Sequence, residues 1–109
     1  MKIHKLSKME KGWFIGNFDP SIKKTTDVEV AIKTYKKGDY EKEHYHKAAT
    51  EITAVISGII EMQGVQYREG DIIEIPPFQS TDFRALSAVT TVVVKHPGAE
   101  NDKFLGKSK

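Results

Sequence analysis

Two histidines and a glutamate stand close together in one short segment, and all three are common metal ligands. His44 and His46 are two residues apart, so both imidazole rings point to the same face if the segment is a β-strand. If Glu51 opens the next strand and the two strands pair antiparallel, its carboxylate returns beside the rings. Two imidazoles and one carboxylate form a ligand set for Fe(II), Mn, Ni or Zn with open coordination positions. We therefore predict a divalent metal at His44, His46 and Glu51.

Other roles for the three residues are open at this point. A His-x-His pair can lie on an exposed strand face without any ligand, and Lys42 or Lys47 offers Glu51 an ordinary ion-pair partner. Glu51 begins an apolar run that we expect to be buried, and a buried carboxylate without a partner is strongly unfavourable. Either a metal or a lysine would remove that unfavourable term.

The elements that must position these residues are short strands separated by glycine or proline. Residues 28–33 alternate between Val or Ile and other side chains, which predicts a half-buried strand. Gln63-Gly64 predicts a tight hairpin with a positive φ at the glycine. Further strands are predicted at 12–18, 51–56, 59–62, 65–67, 71–75 and 89–94. This succession, which contains almost no helix pattern, is typical of an all-β sandwich or barrel.

The histidine segment resembles the first signature motif of the cupin family. That motif is glycine, five residues, His-x-His, three or four residues, glutamate, six residues and glycine. The chain keeps every spacing, at Gly38, His44, His46, Glu51 and Gly58. The resemblance implies an all-β, cupin-type jelly-roll barrel, also called a double-stranded β-helix, which agrees with the strand pattern.

The second cupin motif is only partly present further along the chain. Gly70 and Pro76 stand at the expected spacing, but Phe78, Thr81 and Ala85 replace the usual glycine, histidine and asparagine. Cupin metals usually have three histidines and one glutamate as ligands. The resemblance therefore implies that one ligand is missing at Thr81.

Gln79 is the residue that we expect to replace the missing ligand. It shares the parity of Thr81 along an extended segment, whereas Asp82 points to the opposite face. The full predicted ligand set is then His44, His46, Glu51 and Gln79. Two alternatives stay open: three protein ligands are completed by water, or the chain has kept the pocket and lost the metal.

Length and composition limit the kind of protein and the kind of site. The chain has 109 residues, which suits a single domain. Within residues 1–109 we expect a barrel over 28–96, an N-terminal strand arm over 1–27 and a polar tail over 97–109. The sequence holds no cysteine, which excludes disulfides, thiol nucleophiles, iron–sulfur clusters and thiolate-bound zinc. Any metal must therefore be held by nitrogen and oxygen.

Charge and hydropathy argue against two classes of partner. The net charge is +2, the basic residues are nearly all lysine, and no arginine–aromatic surface favours a nucleic acid. No apolar run approaches the roughly 20 residues of a membrane-spanning helix, and the N-terminus lacks the apolar segment of a signal peptide. We expect a cytoplasmic protein with no membrane partner.

These features together predict a metal-binding cupin of small-molecule metabolism. Its ligand is a small oxygenated molecule, namely an organic acid, a phenolic or a sugar. His44 and Glu51 are the candidate catalytic residues, and whether the chain is an enzyme stays open. The alternatives are a module that binds a sugar or metabolite without turning it over, and a metal-free sugar isomerase or epimerase with a histidine base. The tail resembles small cupins of carbohydrate metabolism, and the aromatic strand around Trp13 favours a homodimer.

Overall fold

A computed structural model describes residues 1–108 of the chain. Within this part of the chain the regular structure is one 3-10 turn, Leu6–Lys8, and ten β-strands. In chain order, β1 to β10 are Trp13–Ile15, Glu29–Tyr35, Tyr40–Tyr45, Thr50–Ser57, Ile59–Met62, Val65–Arg68, Ile72–Ile75, Thr81–Ala85, Val89–His96 and Phe104–Leu105. None of the described residues belongs to a helix long and apolar enough to cross a membrane.

The strands form two antiparallel sheets of five strands each, which face each other as a jelly roll. One sheet has the strand order β1-β2-β9-β4-β7, and the other has the order β10-β3-β8-β5-β6. From β2 to β9 the chain crosses from one sheet to the other at every connection except the β5–β6 hairpin. This alternation is the double-stranded β-helix, so the predicted all-β fold is confirmed.

The barrel interior is apolar toward one end of its strands and polar toward the other. The apolar end is a cluster of the buried side chains Val55, Ile60, Met62, Ile75, Phe83, Ala85 and Val89. Toward the other end the same strands bury the hydroxyl side chains of Thr53 in β4, Thr81 in β8 and Thr91 in β9. Buried polar groups need partners, so the polar end is the part of the fold suited to a ligand.

Strand β2 turns its more polar face toward the interior. Ala31 is fully buried, and Lys33 and Tyr35 on the same face line the barrel cavity. Val30 and Ile32 lie on the outer face, where Ile32 shares a groove with side chains of the N-terminal arm. Alternation predicts this strand correctly but does not identify its inner face, because side chains on both faces are partly covered.

The C-terminal tail is part of the second sheet. Strand β10 pairs antiparallel with β3, which sets Phe104 opposite Tyr45 and Leu105 opposite His44. The polar composition of residues 97–109 gives little sign of this strand, because its partner lies about sixty positions earlier in the chain. The pairing brings the tail against the connection that follows β3.

Candidate metal centre

Three side chains from the two facing sheets meet inside the barrel. Strand β3 ends with His44 and Tyr45, His46 follows directly, and Glu51 is the second residue of β4. Strand β3 pairs with β8 and β10, whereas β4 pairs with β9 and β7. The antiparallel pairing of β3 with β4, which the sequence argument took as its condition, is therefore not formed. The convergence is nevertheless present, because the carboxylate reaches the histidines across the interior.

The distances within this group suit a single metal ion. One ligand atom from each of His44, His46 and Glu51 lies within 4.8 Å of the other two. The two imidazole rings have centroids 5.5 Å apart and stand nearly perpendicular, at 81°. His44 and His46 are only 9% and 5% exposed, so any ion held here would be largely removed from bulk water.

Both histidines are fixed at Nδ1 by a backbone carbonyl. The Nδ1 of His44 lies 2.9 Å from the Lys42 carbonyl oxygen, and the Nδ1 of His46 lies 2.7 Å from that of Asp102. A carbonyl oxygen can only accept, so each Nδ1 carries the proton and donates it. In the neutral ring Nε2 then holds a free lone pair, which is the arrangement of metal-bound histidines.

The lone pair of His46 meets a carboxylate instead of a donor. His46 Nε2 is buried, has no hydrogen-bond partner among the described residues, and lies 3.5 Å from Glu51 Oε1. That distance is too long for a good hydrogen bond. A neutral His46 ring has no proton at Nε2 to donate, so the contact is favourable only when a cation, either a proton or a metal ion, lies between the two atoms. Two ligands that are each about 2.1 Å from one metal lie about 3.0–3.4 Å apart at angles of about 90–109°. The residues present therefore fit a divalent metal.

The electrostatics of the site favour the ligand forms of the side chains. Burial lowers the pKa of His44, so its ring is neutral at neutral pH. Burial alone would raise the pKa of Glu51. The interaction with His46, the charge of Lys95 and the hydrogen bond from Thr53 outweigh burial and leave this pKa below its ordinary value. Glu51 is therefore ionised and His44 is unprotonated, as metal binding requires.

A cavity of about 390 Å³ opens beside the candidate ligands. His44, Glu51, Thr53 and Thr81 form part of its wall. Thr53 Oγ1 donates to Glu51 Oε2 at 3.0 Å, which holds the carboxylate in place. A small molecule in this cavity would reach an ion held by the histidines and the glutamate, and the volume falls within the usual range for ligand sites.

Comparison with solved structures identifies the fold. A double-stranded β-helix protein from Klebsiella pneumoniae is similar to this chain with a TM-score of 0.67 and 26% identity, over 78% of this chain and 74% of that one. A cupin-2 domain protein from Shewanella frigidimarina is similar with a TM-score of 0.59 and 14% identity, over 66% and 72%. The chain has the fold of a small cupin domain, a double-stranded β-helix. No family model and no curated protein matches its sequence.

Oxalate decarboxylase from Bacillus subtilis is a third similar structure, and it contains Mn(II) centres. Its TM-score is 0.61 at 22% identity, over 74% of this chain but only 24% of that one. Likeness at this identity shows the fold alone. The case for a metal in this chain therefore rests on its own residues.

The structure does not bring Gln79 to the candidate ligands. Its side chain is exposed and is not part of the cavity wall. Residues 76–79 form a turn, in which the Gln79 N–H donates to the Pro76 carbonyl at 3.3 Å and Phe78 has a φ of 68°. The parity shared with Thr81 holds only along an extended strand, and this turn precedes the strand. Thr81 itself is buried in β8, opposite His44.

Asp102 is a site residue that the sequence reasoning missed. Its carbonyl accepts the Nδ1–H of His46. Its carboxylate accepts hydrogen bonds of 2.9–3.1 Å from the N–H groups of Lys47, Ala48 and Ala49, in the connection between the ligands. No local signal identifies this residue, since it lies more than fifty positions beyond its partners.

The aromatic residues and the histidine nearest to the site lie in different places. Trp13 is part of the cavity wall, together with Tyr35, whose hydroxyl donates to Glu41 at 2.7 Å. Tyr45 stacks on Phe104 at 5.5 Å between ring centroids. His96 is exposed and lies outside the cavity wall, because the inner residues of β9 are the odd-numbered ones.

Proposed function

We propose that this cupin holds a divalent metal at His44, His46 and Glu51 and binds or acts on a small oxygenated molecule in the adjoining cavity. The observation that carries the proposal is the buried Nε2 of His46, which has no hydrogen-bond partner within residues 1–108 and faces the ionised Glu51 carboxylate. A cation between them turns a repulsive contact into two favourable ones. Three protein ligands leave open positions for the molecule.

The protein's own groups prepare the site for this role. The carbonyls of Lys42 and Asp102 fix the histidine tautomers, and Thr53 fixes one oxygen of Glu51. Such outer contacts orient ligands and strengthen their basicity. A bound metal supplies Lewis-acid chemistry toward an oxygen ligand.

His44 and Glu51 are the proposed catalytic residues of an enzyme built on this site. Both line the cavity, and their pKa values are below the ordinary ones, so both are unprotonated at neutral pH. Glu51 Oε2 is held by Thr53, while Oε1 is directed toward His46. These contacts support a role for the carboxylate both as a ligand and in moving a proton.

The nature of the donors narrows the choice of metal. Two imidazoles and a carboxylate suit Mn, Fe(II), Ni and Zn, and the chain offers no thiolate to select a softer ion. Mn(II) is the first ion to test, since the similar oxalate decarboxylase has Mn(II) centres.

Metal analysis of protein made without a histidine tag tests the proposal. The protein is stripped with a chelator, loaded separately with Mn(II), Fe(II), Ni(II) and Zn(II), and dialysed before elemental analysis. We expect about one equivalent of at least one ion, and near-complete loss in His44→Ala and His46→Ala. His96→Ala is the matched control, because that histidine is exposed and away from the cavity. Substoichiometric loading with every ion, or full loading of His44→Ala, would refute the proposal.

A further inference from the structure

Four lysines line the cavity beside the proposed metal site. Lys33 and Lys95 are half-buried within it, and Lys11 and Lys103 are exposed at its edge. Within residues 1–108 none of these ammonium groups lies within 4.0 Å of a carboxylate. Lysines that face a cavity without an ion-pair partner leave positive charge available to a ligand.

The indole of Trp13 holds the two inner lysines in place. The Nζ of Lys95 lies 4.8 Å from the ring centroid, and the Nζ of Lys33 lies 5.7 Å from it. Trp13 is paired with Ala31 in β2, the strand that also carries Lys33. A cation–π contact positions an ammonium group without neutralising its charge. The N–H groups of both lysines therefore remain free to donate.

The carboxylates of the cavity already have other partners. Glu41 accepts from the Tyr35 hydroxyl at 2.7 Å, and Asp82 Oδ1 accepts from the Gln63 N–H at 2.8 Å. The third carboxylate, Glu51, is assigned above to the metal. The cavity lysines thus outnumber the carboxylates by one, and a divalent cation adds two further positive charges.

Lys95 lies directly beside the proposed metal ligands. It is the register partner of Glu51 across the β4–β9 pairing, and both side chains line the cavity. Directly opposed residues of an antiparallel pair have Cβ atoms about 4.5–5.5 Å apart. One small molecule is therefore able to contact the metal with one oxygen and an ammonium group with another.

We propose that the ligand of this cavity is a small oxygenated anion, whose carboxylate or phosphate group lies between Lys33 and Lys95. The inference rests on the proposed metal site, at which a further oxygen of the same molecule would bind. The inference favours an organic acid or a phosphorylated molecule over a neutral sugar or a phenol, because a neutral ligand would leave the lysines unpaired in a partly closed cavity. A lysine ammonium is a point charge that suits either anion.

Calorimetry with a matched pair of probes tests the inference on the wild-type chain. The titrants are malonate, its neutral analogue malonamide, and inorganic phosphate, each added to chelator-treated and to Mn(II)-loaded protein. We expect malonate or phosphate to bind at least about tenfold more tightly than malonamide, and more weakly as salt is added. The tighter of the two anions identifies the group. Equal affinity for malonate and malonamide, or no binding of either anion, would overturn the inference.

Lysine variants locate the binding site. Lys33→Gln and Lys95→Gln remove one charge each, and Lys37→Gln removes an equal charge from an exposed position outside the cavity. We expect the first two to weaken binding of the preferred anion by about tenfold each and the control to change it less than twofold. Unchanged affinity in both cavity variants, with wild-type circular dichroism, would contradict the proposal.

The two proposals fail in distinguishable ways. If the protein takes up no metal but the chelator-treated form binds an anion that depends on Lys33 and Lys95, the metal proposal fails and this inference stands. If one equivalent of metal binds but Lys33→Gln and Lys95→Gln both bind the anion as tightly as the wild type does, the inference fails and the metal proposal stands.

Discussion

The candidate ligands His46 and Glu51 form an unfavourable contact when no cation lies between them. The Asp102 carbonyl fixes the protonated Nδ1 of His46, so in the neutral ring Nε2 presents a lone pair to Glu51 Oε1 at 3.5 Å. A buried acceptor without a donor costs about 1–3 kcal/mol. At the scale of single residues, the site is arranged for a cation.

Replacing Glu51 by Gln tests whether this side chain is a metal ligand without removing its volume from the interior. The amide of Glu51→Gln can donate to His46 Nε2 but loses the attraction between the carboxylate and Lys95, so the metal-free variant should keep the stability of the wild type to within about 1 kcal/mol. Its affinity for Mn(II) should fall at least about tenfold, because the anionic ligand is gone. Urea unfolding with a chelator and metal titration measure the two effects.

The control for this prediction is Glu74→Gln, which removes the same charge from an exposed position on β7. It should leave Mn(II) affinity unchanged. Retained Mn(II) affinity in Glu51→Gln would mean that Glu51 is not a ligand. A marked loss of stability in the metal-free variant would mean that the contact with His46 is favourable as it stands.

Among the elements, the tail and its strand β10 control the shape of the connection between the ligands. The Asp102 carboxylate accepts hydrogen bonds from three successive N–H groups of that connection. Burial alone would raise the pKa of Asp102, but the hydrogen bonds from Lys47, Ala49 and Ala48 outweigh it and lower this pKa. A group whose pKa is lowered by folding stabilises the fold above its ordinary pKa and loses that effect as the pH falls.

Asp102→Asn should therefore destabilise the protein in a pH-dependent way. We expect a loss of about 1–2 kcal/mol in the free energy of unfolding at pH 7. The difference from wild type should shrink as the pH falls below the ordinary value of 3.8, toward the lowered pKa at which the folded carboxylate becomes protonated. Urea unfolding between pH 3 and pH 7 measures it, with the exposed Asp27→Asn as control. A difference that is constant over this range would contradict the assignment.

The end of β4 depends on a glycine for two separate reasons. Gly58 has a φ of 93°, and a Cβ there would lie 2.2 Å from the Ala88 carbonyl oxygen. Gly70 has a similar φ of 91°, but a Cβ there meets nothing within 4 Å. Comparing alanine variants at Gly58 and Gly70 therefore separates the effect of a left-handed backbone from the effect of steric overlap.

Gly70→Ala should cost about 1–2 kcal/mol of stability, which is the penalty for a left-handed backbone alone. Gly58→Ala should cost more than about 3 kcal/mol, because the backbone of residue 88 must also move. Chemical denaturation of both variants measures the difference. Equal losses would show that the overlap at Gly58 relaxes freely.

At the scale of the whole molecule, the sequence predicts local features well. The spacing from Gly38 to Gly58 identifies the fold family, and Gln63-Gly64 forms the expected hairpin, with φ values of 50° and 77°. These features depend on residues a few positions apart, for which chain geometry leaves few alternatives.

Features that depend on distant partners were beyond sequence reasoning. Asp102 and Lys95 lie more than forty positions from the ligands they contact or face, and no alternation pattern records such a pairing. The prediction that Gln79 is a ligand relied on an extended chain, in which Gln79 and Thr81 point to the same face. The turn at residues 76–79 interrupts that alternation. Strand β2 shows a third reason, since partial cover on both faces hides which one is inner.

Anomalous diffraction from crystals of the untagged, Mn(II)-loaded protein tests the central claim most directly. The predicted result is one strong peak at the manganese edge within about 2.0–2.3 Å of His44 Nε2, His46 Nε2 and a carboxylate oxygen of Glu51. A map that shows no peak between these three side chains, from crystals grown with Mn(II) in excess over the protein, would contradict the account.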